Sequence, residues 1–117
     1  MKSFLILSLI VLSFCGQYDE QVWKYFKDKG FTDAGVAALM ENLNAESGIN
    51  SEIYQTSYKS KIGCSAKELC DKINSGQYTK EQFISDSVGF GLAQWTSKSR
   101  KEQLYDSCQG KIGSIDC

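Results

Sequence analysis

The sequence predicts a mainly α-helical domain, stabilised by disulfides and preceded by an export segment. Three observations carry this. Apolar residues recur at helical spacing behind capping residues, no alternating run is long enough for a convincing sheet, and cysteines are dense for a short chain. The 117 residues hold 13 basic and 14 acidic side chains, five cysteines, no proline and no histidine. Without histidine there is no Ser-His-Asp triad, no Cys-His pair and no histidine-held metal. Acid–base chemistry is left to carboxylates, lysines and tyrosines. A formal net charge of −1 offers no basic face for nucleic acid. No cofactor or metal is expected.

The chain opens Met1-Lys2-Ser3 and runs apolar from Phe4 to Phe14. One cation followed by a short apolar run reads as a signal peptide over residues 1–16, cut after Cys15 or Gly16. The run is too short to span a bilayer, which takes about 20 apolar residues. Acylation of Cys15 as a lipoprotein is disfavoured by the bulky Phe14 before it. The mature chain is therefore expected outside the cell, or in the lumen of a secretory or phagosomal compartment, as a monomer without membrane insertion. Residues 17–117 suit one compact domain of about 100 residues with a modest core. Cys64, Cys70, Cys108 and Cys117 remain, an even set that predicts two disulfides with three pairings open. Zinc is disfavoured, because no Cys-x2-Cys pair is present.

The elements follow in order. A first helix is expected over Asp19–Lys29, with Val22, Trp23, Phe26 and Tyr25 on its apolar side and Gly30 as a left-handed cap. Thr32 then caps a second helix reaching Ser47, with Asp33 suiting its dipole and Phe31 stapling onto Val36. Gly48 closes it. Residues 50–63, polar and tyrosine-bearing, read as an extended loop. Ser65 with Glu68 starts a short helix through Ile73, flanked by Cys64 and Cys70, and Thr79 with Gln82 starts another around Phe83 and Ile84. After the glycine-bearing segment 88–95, Thr96 or Ser97 caps a last helix through Leu104 and Tyr105.

The second helix carries the most unusual residue. Val36, Leu39, Met40 and Leu43 occupy i, i+3, i+4 and i+7, and Glu46 continues the series by three. A carboxylate thus stands where the stripe asks for an apolar side chain, near the negative end of the helix dipole. Burial and dipole both raise the pKa of such a group. A carboxylic acid held protonated is what glycosidic cleavage needs for the leaving oxygen. Periodicity alone weighs this equally against a solvent-facing helix end, whereas Glu41 falls on the polar side.

The span Asn44-Ala45-Glu46-Ser47-Gly48 resembles the Glu-Ser-Gly signature of soluble lytic transglycosylases and goose-type lysozymes, and Gly91-Leu92-Ala93-Gln94-Trp95 resembles their later Gly-Leu-x-Gln motif. More narrowly, Val22 to Tyr105 resembles the phage tail lysozyme family through four ordered blocks. These are the Val22–Phe26 helix, the Gly30–Ala34 turn, the Glu-Ser-Gly helix end and the Gly89–Thr96 segment. The resemblance implies a lysozyme-like fold, a helical body with a small second lobe and a cleft between them. It implies Glu46 as the catalytic acid, and Gly91, Gln94 and Trp95 as sugar contacts. Gly91 would let backbone approach substrate, Gln94 would bond a sugar or position Glu46, and Trp95 would offer a flat face. Packing weighs equally for Trp95. Relatives usually continue with further helical sequence past the point matching Cys117, so a C-terminally incomplete fold is an expectation too. The excursion carrying Cys64 and Cys70 departs from most relatives.

The function this implies is a secreted muramidase, cutting the N-acetylmuramic acid–N-acetylglucosamine linkage of peptidoglycan glycan strands, antibacterial or bacteria-digesting. Asp86, just before the glycine segment, is a possible second carboxylate to activate water. A solvated loop or capping aspartate is the more ordinary reading. Two alternatives stay open: a lytic transglycosylase with an anhydro-sugar product, and an inactive lysozyme-like module that only binds glycan.

Overall fold

Residues 16–117 are described by a computed structural model. The signal-peptide expectation falls almost wholly on residues 1–15, outside the described residues. Helix α1 spans Asp19–Asp28 and α2 Asp33–Ser47; a 3-10 turn at Thr56–Tyr58 leads into α3 (Lys59–Ile62), followed by α4 (Ala66–Ser75), α5 (Lys80–Ser85) and α6 (Lys98–Ser107). Extended pairing among the described residues is confined to isolated bridges. The architecture is mainly helical, as the sequence predicts, and is consistent with a lysozyme-like helical fold. The chain divides into two compact units, one ending at Ile49 and one beginning at Asn50.

In the first unit α1 packs on α2. Thr32 accepts a hydrogen bond from the Gly35 N–H (3.0 Å) and starts α2, as its sequence context predicts. Gly30 takes a φ of 94° after α1, and Gly48 a φ of 67° after α2. Lys27 joins the two helices through Asp33 (2.7 Å). Val22, Val36 and Met40 are buried. The Phe31 ring stands edge-on to Phe26 with centroids 5.6 Å apart. Phe31 stays 46% exposed.

The second unit builds its core from Tyr54, Leu69, Cys70, Ile73, Phe83, Ile84, Val88, Phe90, Cys108 and Ile112. Residues 50–63 are more ordered than expected. The polar spacing hid a 3-10 turn and the short α3, which bring Tyr58 and Ile62 onto this core. Thr79 and Gln82 form a full capping box, while Ser65 supplies its half by accepting from the Glu68 N–H (3.1 Å).

Among the described residues one disulfide forms, Cys108–Cys117. The second expected one does not: Cys64 and Cys70 are free thiols. The reason lies in α4, whose buried face takes Cys70 as a small apolar side chain. Its Sγ fills the bare face of Gly113, lying 2.6 Å from where a Cβ there would stand. Burial, with nearby acidic groups, pushes the Cys70 thiol up to about 12. Cys64 instead offers its carbonyl to the Tyr54 hydroxyl (2.6 Å).

Candidate active site

Glu46 lies on the last turn of α2, in the first unit, and its side chain is exposed. The buried residue of that turn is Ser47, at 7% exposure. Helical geometry explains why the solvent-facing one of the two sequence readings holds. At about 100° per residue the stripe from Val36 to Leu43 is continued more centrally by i+4 than by i+3. Ser47 therefore takes the core-side place, and Glu46 stands at the stripe's edge. The Ser47 hydroxyl donates to the Leu43 carbonyl (3.0 Å), which satisfies it inside the turn. Among the described residues Glu46 has no ion pair, so its carboxyl is open to whatever approaches the helix end.

Gly91, Gln94 and Trp95 belong to the second unit, in a tight loop. Phe90 and Trp95 exchange both backbone hydrogen bonds (3.0 and 2.9 Å), and the Gln94 N–H closes the turn onto the Gly91 carbonyl (3.1 Å). On its other side the segment pairs with residues 53–55. Gln55 donates its N–H to the Gly89 carbonyl (2.7 Å) and Gly91 to the Ile53 carbonyl (2.8 Å). The loop is thus held on both edges.

Within it, Gly91 lies against the Trp95 side chain. Its φ is 80°, and the Trp95 ring lies 3.2 Å from where a Cβ would stand. The bare glycine accommodates the indole. Trp95 is half-buried. Gln94, also half-buried, donates through Nε2 to the Gly91 carbonyl (2.9 Å).

Asp86 caps the end of α5, as the capping reading has it, and is neither free to activate water nor solvated. It is buried, and both oxygens are occupied. Oδ1 accepts from the Lys101 ammonium and from the Val88 N–H (2.9 Å), and Oδ2 from the Tyr78 hydroxyl (2.9 Å). Lys101, fully buried on α6, also donates to the Val88 carbonyl (2.9 Å) and sits 4.3 Å from the Phe83 ring centroid. Burial pushes the Lys101 pKa down, and the Asp86 carboxylate opposes that. Lys61 reaches the Asp86 carbonyl (3.0 Å). Burial, then the bond to Asp86, pushes the Tyr78 hydroxyl well above its ordinary pKa. The network grips both polar groups of Val88, the residue leading into the Gly89–Trp95 loop.

Backbone strain marks the same places. The non-glycine residues with positive φ among those described are Ile49 (54°), Ser87 (61°) and Gln94 (51°). Ile49 is β-branched and directly follows the Glu46-Ser47-Gly48 helix end, and the others flank or lie in the loop. Such conformations cost of order 1–3 kcal/mol each and cluster at functional sites.

Lys101, Tyr78 and Gln55 were missed by sequence reasoning. Lys101 sits in a helix with a polar sequence, and only its pairing with a residue 15 positions earlier explains it. Gln55 lies in the stretch expected to be loop. No group of three or more metal-ligating side chains comes together among the described residues.

Residues 17–117 match the family model described as phage tail lysozyme. The chain belongs to that family, and so to the lysozyme-like enzymes that cleave peptidoglycan. No curated protein and no solved structure matches it.

Proposed function

We propose that this protein is a secreted muramidase, with Glu46 donating a proton to the oxygen of the N-acetylmuramic acid–N-acetylglucosamine linkage. The observation that carries the reading is the Glu46-Ser47-Gly48 helix end. It matches the family signature, presents an open carboxyl, and is followed by the strained, buried Ile49. Glu46 is exposed, so the desolvation that favours a protonated acid is not supplied by the helix face. On this reading the glycan strand supplies it, excluding water from the carboxyl as it binds.

Asp86 takes no base role in this proposal, because its oxygens are committed to Lys101, Val88 and Tyr78. The sugar's own N-acetyl or hydroxyl group then assists the departure, giving either hydrolysis or an anhydro-sugar product. Hydrolysis is the preferred form. Export rests on the Met1–Phe14 pattern, and an antibacterial or bacteria-digesting role follows from export.

The exposure of Glu46 also favours a second reading, a module that holds glycan without cutting it. Turbidity of purified cell walls separates the two. Wild-type protein should clear the suspension and the Glu46→Gln variant should not. Equal clearing by both defeats the catalytic assignment, and glycan binding without clearing by either favours the module.

A further inference from the structure

Three polar side-chain oxygens converge on Gly89. Gln94 Oε1 lies 3.0 Å, and Gln55 Oε1 and Thr96 Oγ1 each 3.4 Å, from where a Cβ on that glycine would stand. Any larger residue would push them apart. Gly89 itself is buried beneath them, while Gln55 and Thr96 are exposed and Gln94 and Trp95 half-buried.

The two amides have fixed orientations. Gln55 accepts the Gly89 N–H through Oε1 (3.3 Å), so its Nε2 remains as a donor. Gln94 donates through Nε2 to the Gly91 carbonyl (2.9 Å), so its Oε1 remains as an acceptor. Flipping either amide would set donor against donor or acceptor against acceptor. Thr96 holds the same loop by donating to the Gln94 carbonyl (2.9 Å). Among the described residues no buried side-chain nitrogen or oxygen lacks a partner. The spare Gln94 acceptor, on a half-buried residue, is therefore not a fully enclosed atom.

A spare acceptor and a spare donor on neighbouring amides complement a secondary amide, which offers one N–H and one C=O. The Trp95 indole, packed over Gly91 two residues past Gly89, adds an apolar face for a methyl group or a pyranose ring. We propose that Gln55 and Gln94 form a subsite for the acetamido group of an N-acetylhexosamine, with Gln55 donating to its carbonyl and Gln94 accepting from its N–H. Gln55 is then a specificity-determining residue. The ligand class rests on the peptidoglycan reading above. The complementarity rests on the two amides alone.

The test uses the full chain carrying Glu46→Gln, so that no turnover intervenes. It is titrated with chitotetraose and with the same oligomer fully de-N-acetylated, following side-chain amide and indole resonances by NMR. Chitotetraose should bind at least tenfold more tightly, and the Gln55 Nε2 resonance should shift only with it. Adding Gln55→Glu keeps the acceptor for the Gly89 N–H and removes the Nε2 donor. It should weaken chitotetraose about fivefold to tenfold without lowering Tm.

Unchanged chitotetraose affinity in that variant, equal affinity for the two oligomers, or no binding of chitotetraose would each overturn the subsite. Should Gln55→Glu not fold, the Gln55 resonance of the unsubstituted side chain decides alone. Cell-wall clearing by the chain with Glu46 intact judges the enzymatic reading separately. A chain that clears nothing yet binds chitotetraose through Gln55 keeps the subsite and loses the enzyme.

Discussion

The helix end that carries Glu46 and the loop that carries Gln94 and Trp95 are held in contrasting ways. Glu46 sits at the edge of an ordinary amphipathic helix, exposed, and the turn beneath it is satisfied by Ser47 and Gly48 within the same helix. The loop is bridged on both edges and tied at its entrance to a buried ion pair reaching across to α6. In the proposed function Glu46 is a proton donor, which needs access and a suitable carboxyl, and the loop is a sugar-contacting surface, which needs fixed positions. The first is provided by a local feature, the second only by a tertiary network.

The contrast predicts that chemistry and stability separate on substitution. Glu46→Gln should lower wall clearing by about a hundredfold or more while leaving Tm unchanged, since general acids contribute roughly 10²–10⁴ in rate. A large fall in Tm would mean that the carboxylate is structural. Lys101→Met should do the reverse first. It strands the Asp86 carboxylate in a buried site, at a cost of about 3–5 kcal/mol, and should be read as a steep fall in chemical-denaturation midpoint. A loss below about 1 kcal/mol would show that the network does not hold the loop. Pairing it with Asp86→Leu should recover part of the stability, because the stranded charge is then gone.

Smaller effects probe the framework around both regions. Reducing Cys108–Cys117 opens a loop with a sequence separation of 9 and should cost about 2–3 kcal/mol by chain entropy. Thermal unfolding with and without reductant measures it. Thr32→Ala removes the acceptor for the Gly35 N–H at the start of α2 and should cost about 1 kcal/mol. That loss should leave wall clearing per folded molecule unaltered.

Much of the helical layout was legible because its signals are local. Thr32, Ser65 and Thr79 each cap the helix they announce, and Gly48 ends α2 in the left-handed form. The family blocks were legible for the same reason, being short contiguous motifs. The misreadings concern relations across the chain. Cys70 looked like half of a disulfide, but Gly113 packs against it, and that neighbour is 43 positions away. Asp86 looked free because Lys101 lies 15 residues on, with its charge concealed in a polar helix sequence. Glu46 stayed between burial and a solvent-facing helix end because i+3 and i+4 both continue a stripe, and the packed helix gives the core side to Ser47. Gln55 was hidden within a stretch whose polarity read as loop.

The measurement that bears most directly on Glu46 is mass spectrometry of the fragments released from purified sacculi by wild-type and Glu46→Gln proteins at matched concentration. The account predicts disaccharide-peptide fragments with N-acetylmuramic acid at the reducing end from the wild type, and essentially none from the variant. Equal release of those fragments by both proteins would contradict it.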